Sequence, residues 1–167
     1  MPTVNQSCTH FSSIWDTGGV DTIIHDGSVG ATIDLRPASL LNAVGGGGWV
    51  SSVNSIQGGF TIANGVLIEN ATGGSGDDTL VGNDANNILD GRGGADTMVG
   101  GNGDDTYFVN NFGDLINESF NAGTDTVQAS VNGYQLSSNT ENLTLVGVNN
   151  GVGNELNNII TGNDLNN

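Results

Sequence analysis

The sequence contains no lysine and only two arginines, Arg36 and Arg92, against 18 aspartates and glutamates in 167 residues. Its formal charge at neutral pH is −16. A chain so poor in cations is excluded from the usual partnerships with DNA, RNA and anionic membranes, which need a basic surface. It also has almost nothing of its own to offset self-repulsion in the compact state, so bound cations are the natural remedy. Cysteine is nearly missing as well: Cys8 stands alone, which excludes an internal disulfide framework. No apolar run approaches the ~18 residues of a membrane span. The first ten residues, MPTVNQSCTH, lack both the basic start and the apolar centre of a cleavable signal peptide, so export would use another route.

Catalytic frames are missing too. The two histidines, His10 and His25, do not stand in an H-E-x-x-H zinc frame. There is no G-x-S-x-G elbow, no phosphate-binding loop and no nucleophile with a base beside it in sequence. A glycosidase pair could be drawn among so many carboxylates, but their spacing has another explanation.

Glycine is abundant, with 28 residues, and its placement is periodic. Residues 73–108 read as four consecutive nine-residue units, GGSGDDTLV, GNDANNILD, GRGGADTMV and GGNGDDTYF. The first six positions are mostly Gly, Asn and Asp in a G-G-x-G-x-D frame. The eighth is Leu80, Leu89, Met98 or Tyr107. A flexible glycine-rich linker would not keep a large non-polar residue at every ninth place. Six turn-forming residues followed by three strand-forming ones, such as Thr79-Leu80-Val81, predict a short strand with its middle residue inward. The period itself is the nonapeptide of a calcium-binding parallel β-roll.

If two units make one coil, loops eighteen residues apart stack on one edge. Asp78 then lies one layer from Asp96, and Asn87 one layer from Asp105. Layers about 4.8 Å apart set carboxylates against each other at roughly 1 kcal/mol in water and several times that at an effective dielectric near 20. A hard dication between them reverses the sign, and Ca²⁺ takes its six to eight oxygens from carboxylates and carbonyls. Asp90, at a ninth position, falls outside the six-residue loop and is not expected to be a ligand.

Four zones follow: residues 1–13, a polar tail without pattern; 14–72, a β segment; 73–108, the repeat core; and 109–167, a continuation. Strands are expected at Thr32-Ile33-Asp34-Leu35, Phe60-Thr61-Ile62 and Val66-Leu67-Ile68, with a flexible loop at 45–48. The nonapeptide frame returns at GNELNNIIT (153–161), and the chain stops inside the next unit, which suggests a piece of a larger protein. No helical period extends over ten residues. Trp15 and Trp49 read as caps of a small β core rather than as a sugar-stacking surface.

These repeats resemble those of RTX proteins. Residues 14–108 further resemble the C-terminal domain of serralysin-type secreted metalloproteases, through IWDTGGVDTI at 14–23, IDLRP at 33–37 and IENA at 68–71 running into the first repeat. Residues 104–167 resemble a commoner RTX pattern, with Asp105-Thr106-Tyr107, Gly113-Asp114, Gly123-Thr124-Asp125-Thr126-Val127 and Glu141-Asn142-Leu143-Thr144-Leu145. The resemblance implies calcium ligands at Asp16, Gly18, Gly19 and Asp21, and at Glu69. Within the repeats it implies Gly74, Gly76 and Asp78; Gly82, Asp84 and Asn87; Gly91, Gly93 and Asp96; and Gly100, Asn102 and Asp105. Asn87 stands where the family has Asp, so the Asn87/Asp105 edge is expected to bind more weakly.

The expected fold is an all-β, right-handed parallel β-roll binding several Ca²⁺ ions. The expected role, by resemblance, is a non-catalytic module of an extracellular protein that folds on calcium after leaving through type I secretion machinery and stabilises the exported protein. The alternatives are a module recognising a glycan or cell surface, and the tail of a secreted zinc metalloprotease.

Overall fold

The computed structural model describes residues 11–40, 48–55 and 59–165. The tail residues 1–10, and 45–47 of the expected flexible loop, lie outside the described residues. The described chain holds strands and turns and no helix. In chain order the strands are β1 (Phe11–Ile14), β2 (Thr22–Ile24), β3 (Ala31–Asp34), β4 (Ser52–Val53), β5 (Gly59–Ile62), β6 (Asn70–Thr72), β7 (Thr79–Val81) and β8 (Ile88–Asp90). They continue as β9 (Thr97–Val99), β10 (Thr106–Val109), β11 (Leu115–Asn117), β12 (Thr126–Ala129), β13 (Tyr134–Gln135), β14 (Asn142–Leu145), β15 (Gly151–Val152) and β16 (Ile159–Thr161).

Alternate strands fall in two different sheets, which is the consequence of two nonapeptides per coil. A seven-stranded sheet runs β16-β14-β12-β10-β8-β6-β2, and a five-stranded sheet runs β11-β9-β7-β3-β4. Thr79 pairs with Thr97, Leu80 with Met98 and Val81 with Val99, all in parallel; Leu89 pairs with Tyr107 in the other sheet. Successive coils thus stack with the eighteen-residue offset, giving a parallel β-roll. The seven-stranded sheet passes without a break from β2 to β16. Only β3–β4 pairs antiparallel among the named strands.

The three-residue strands can each turn only one side chain inward. Leu80, Leu89, Met98 and Tyr107 are all at 0 % exposure, and Ala71, Val127 and Leu143 continue the same column. Leu35, Ile62 and Ile68 cap one end of it. Burying a side chain of this size stabilises by about 1.5–3 kcal/mol, so the column is the apolar half of what holds the roll together.

Three local expectations differ from the structure. Val66-Leu67-Ile68 forms no strand; Val66 N–H closes a turn on Ala63 O at 3.2 Å, and the strand comes two residues later at β6. The segment rounds an edge of the roll, burying Val66 and Ile68 and exposing Leu67, so its apolar character serves an end cap and not a ladder. Residues 11–13, assigned to the tail, belong to β1, which pairs in parallel with β5. Trp15 caps nothing: it is 79 % exposed, because it follows β1 out into the 15–21 turn. Trp49 is partly covered, with the Arg36 guanidinium 3.7 Å above its ring.

Candidate metal centre

Each long edge of the roll carries a stack of loops. One edge holds loops 73–78, 91–96 and 110–114; the other holds 82–87, 100–105 and 118–125. In both stacks the last residue of every loop but 110–114 points its main-chain N–H at the acid of the next coil, whereas Asp114 N–H closes its own loop on Asn111 O at 3.1 Å. Asp78 N–H donates to Asp96 Oδ1 at 2.8 Å and Asp96 N–H to Asp114 Oδ1 at 3.0 Å. On the opposite edge Asn87 N–H donates to Asp105 Oδ1 at 2.7 Å, Asp105 N–H to Asp125 Oδ1 at 2.8 Å, and Asp125 N–H to Glu141 Oε2 at 2.8 Å. The carboxylates therefore form two ladders, each acid fixed in orientation by the loop beneath it.

One oxygen of each acid is thereby used, and the other is not always matched. Asp78 is satisfied at both oxygens, by Ala31 N–H at 2.5 Å and Gly74 N–H at 2.7 Å. The Oδ2 atoms of Asp96, Asp105 and Asp125 are buried without a hydrogen-bond partner, as is Oδ2 of Asp21. Asp96, Asp105 and Asp125 are each 1 % exposed. A buried acceptor left unmatched is costly, and a charged one more so. Burial pushes the Asp96 carboxyl up to about 6, with Asp114 and Asp78 adding to it, against the opposing hydrogen bond from Asp78. Burial likewise pushes Asp105 up to about 7 and Asp125 up to about 6. Among the described residues neither arginine is free to meet them: Arg36 pairs with Asp34 and Arg92 with Asp26, and the sequence has no lysine.

The first glycine of each repeat is where the acid folds back. A Cβ at Gly73 would lie 2.3 Å from Asp78 Oδ2, at Gly91 2.0 Å from Asp96 Oδ2, and at Gly100 2.1 Å from Asp105 Oδ2. At Gly91 and Gly100 any side chain would fill the space beside the free oxygens of Asp96 and Asp105. Donors of this kind, carboxylate and carbonyl oxygen without sulfur or imidazole, suit a hard cation, so the acids could hold a metal ion.

Asp78 and Asp96 meet on one edge and Asn87 and Asp105 on the other, as the spacing predicts. Gly74 and Gly93 tie neighbouring coils through Gly93 N–H on Gly74 O at 3.0 Å, whereas Gly76 packs against Gly30. Gly82 backs onto Asn87 Oδ1 and Gly100 O. The side chains of Asp84 and Asn102 pair with each other on the exposed rim, Asn102 Nδ2 donating to Asp84 Oδ1 at 2.7 Å. In the N-terminal cluster Asp21 N–H donates to Glu69 Oε2 at 2.8 Å, and Asp16 Oδ2 accepts from Gly18 N–H at 2.7 Å. Gly18 and Gly19 take φ of 113° and 137°, values that L side chains rarely adopt. The backbone N–H groups of Gly18 and then Thr17 hold Asp16 below the usual carboxylate range, while burial and then Asp16 itself push Asp21 up.

Asn87 has a different occupation. Its amide donates to Glu69 O at 2.7 Å, and Asn83 donates to Ile68 O at 2.7 Å. Asn154 repeats this on Ser137 O and Thr140 O, and Asn163 on Val148 O and Leu145 O. In these G-N-x-x-N-N frames an amide NH₂ draws together carbonyls that a cation would otherwise collect.

Residues 2–161 match the family description Peptidase M10 serralysin C terminal. The chain belongs to that family. Among curated relatives, the serralysin of Photorhabdus laumondii is 46 % identical over 76 residues, covering 45 % of this chain and 14 % of that protein. The metallopeptidase AprA of Pseudomonas marginalis is 40 % identical over 78 residues, and the serralysin of Proteus mirabilis 41 % over 78, each covering 46 % of this chain and 14 % of the relative. This serralysin C-terminal domain thus matches a small share of the relatives' length, and it corresponds to their C-terminal domain and not to the catalytic one.

The sequence assigns no ligand role to Gly73, Asp114, Glu118, Asp125 or Glu141, although Asp114, Asp125 and Glu141 stand in its RTX-like pattern. Gly73 was legible as the first glycine of its frame, and Asp114 as the residue eighteen after Asp96. The offset from Asp105 to Asp125 is 20 residues and from Asp125 to Glu141 is 16, so a fixed period passes over both. No helix of the described residues is long and apolar enough to cross a membrane.

Proposed function

We propose that this domain is a non-catalytic, calcium-binding module of a secreted protein, folding as it binds Ca²⁺ outside the cell after type I export and then stabilising the exported protein. The observation that carries the reading is the set of buried, unpartnered carboxylate oxygens on Asp21, Asp96, Asp105 and Asp125, with both arginines paired elsewhere. Ca²⁺ satisfies all of them at once, in a calcium-rich medium and not in a calcium-poor cytosol. The ligands on this reading are Asp16, Gly18, Gly19, Asp21 and Glu69 for the N-terminal ion. Gly74, Gly76, Asp78, Gly91, Gly93 and Asp96 serve one edge, and Gly82, Asp84, Asn87, Gly100, Asn102 and Asp105 the other. Carbonyls contribute from the glycines and from the rim pair Asp84 and Asn102.

On this reading the parent protein is a metallopeptidase, as the relative named metallopeptidase AprA is, and this domain takes no part in cleavage. An ion that binds only the folded state adds about 2.7 kcal/mol at 100 times its dissociation constant. Several such ions match the whole stability of a small domain. Far-UV circular dichroism of calcium-stripped protein, titrated with Ca²⁺, tests the reading. A β spectrum and melting point unchanged by stripping would overturn it.

A further inference from the structure

We propose that Asp105, Glu118 and Asp125 form a separate binding site for one hard divalent cation of the Ca²⁺ class, set where the glycine frame of the repeats has ended. The inference rests on the calcium-dependent reading above but adds Glu118 and Asp125, which the repeat pattern does not supply, to Asp105 on its far side from Asn87. Glu118 opens the loop 118–125, whose sequence ESFNAGTD contains no G-G-x-G-x-D frame. One oxygen from each of the three acids lies within 4.8 Å of the others.

Both walls of the site are aspartates fixed by the main chain. Asp105 Oδ1 is held by Asn87 N–H and Asp125 Oδ1 by Asp105 N–H, which leaves both Oδ2 atoms buried and unpartnered. Glu118 is the third wall. Its Oε1 accepts from the Tyr107 hydroxyl, its Oε2 accepts from Ser119 N–H at 3.1 Å, and its main-chain O accepts from Asn139 Nδ2 at 2.9 Å. Tyr107 explains why this repeat departs from the aliphatic residues of the other three: its ring fills the core and its hydroxyl reaches the acid. Gly100 keeps the floor open, since a Cβ there would stand 2.1 Å from Asp105 Oδ2 and 2.3 Å from Glu118 Oε1.

The donor set selects the ligand. Three carboxylates without sulfur or imidazole suit Ca²⁺, which completes its shell with carbonyls and water, and do not suit zinc. Both arginines are committed elsewhere. The ion has a structural task here. Thr106 pairs with Thr126, so this coil carries two more residues than a repeat coil. A cation joining loops 100–105 and 118–125 fixes that longer coil without the glycine frame.

The test is calorimetric titration of the whole calcium-stripped chain with Ca²⁺ alone, for the natural sequence, Glu118→Gln and Tyr107→Phe. Glu118→Gln is expected to remove one ion from the stoichiometry while the remaining ions bind as before. Tyr107→Phe keeps all three carboxylates and is expected to retain that ion at about tenfold lower affinity, the scale of losing a hydrogen bond to a charged group. It therefore reads the site even where Glu118→Gln does not fold. Unchanged stoichiometry and affinity in Glu118→Gln, or unchanged affinities in Tyr107→Phe, would overturn this site and leave the repeat sites standing. A natural chain that takes up no Ca²⁺ would overturn both.

Discussion

The main-chain N–H of Asp78 donates at 2.8 Å to the carboxylate of Asp96, eighteen residues along the chain and one coil away. That bond uses Oδ1 and turns Oδ2 into the edge, where nothing in the protein meets it. The first consequence concerns charge. Asp96→Asn keeps the shape and removes one ligand charge, so it is expected to raise the calcium concentration at which the chain folds. Asp90 accepts from Arg92 N–H at 3.0 Å in an exposed setting, and Asp90→Asn is expected to change stability by no more than ~0.5 kcal/mol, as at ordinary surface sites. Calcium titrations followed by circular dichroism compare the two; equal effects would remove Asp96 from the site.

Two glycines in one loop are expected to answer alanine differently. At Gly91 the new Cβ would sit 2.0 Å from Asp96 Oδ2, whereas at Gly93 its nearest neighbour is Ser75 Cα at 3.5 Å. Gly91→Ala displaces the acid and is expected to weaken calcium binding as Asp96→Asn does, with no charge removed. Gly93→Ala keeps its carbonyl and is expected to bind nearly as the natural chain. The same titration decides.

Asn87→Asp is expected to shift stability in opposite directions with and without metal. Without calcium, the change removes the donor to Glu69 O and sets a carboxylate facing Asn83 Oδ1, which costs about 1–3 kcal/mol. With calcium, it restores a charged ligand opposite Asp105 and tightens that edge. Melting in chelator and in excess Ca²⁺ should show the crossing; a variant less stable in both would refute it.

The metal-free fold is expected to lose stability as pH rises. Asp96 and Asp125 titrate at about 6, Asp105 at about 7 and Glu118 at about 8 in the folded chain, against 3.8 for Asp and 4.5 for Glu in the ordinary state. Burial is the first cause for each. Between pH 4 and 8 the folded state therefore holds more protons than the unfolded one, and the linkage relation makes the unfolding free energy fall with pH. Calcium competes with those protons, so its stabilisation grows over the same range. Melting points of calcium-stripped protein that rose from pH 4 to 8 would contradict the assignment of these acids.

The repeat core was legible in the residues because its rules are local. A six-residue turn followed by three strand residues fixes which side chain faces in, and Leu80, Leu89, Met98 and Tyr107 all do. Outside that frame the same residue types were ambiguous. Val66-Leu67-Ile68 has the composition of a strand, but its backbone meets the Ala63 carbonyl and the Asn83 side chain rather than a neighbouring strand. Trp15 looked like a core cap because its burial depends on where the 15–21 turn carries it. Asn87 reads in sequence as a weakened calcium ligand, and Asn83 and Asn154 only as turn-forming positions of the nonapeptide; their amides bind carbonyls of neighbouring coils, a use that appears only once the coils are stacked.

By itself the sequence determined the coil: its period, its inward column, the pairing of Asp78 with Asp96 and Asn87 with Asp105, and an acidic excess that its two arginines do not balance. Each follows from backbone geometry repeated at a fixed interval. Tertiary structure alone decided which oxygens are left unmatched, and that Glu118 meets Asp105 and Asp125 under the Tyr107 hydroxyl. Those contacts join loops of unequal length, and how such loops close depends on the coils packed against them rather than on their own residues.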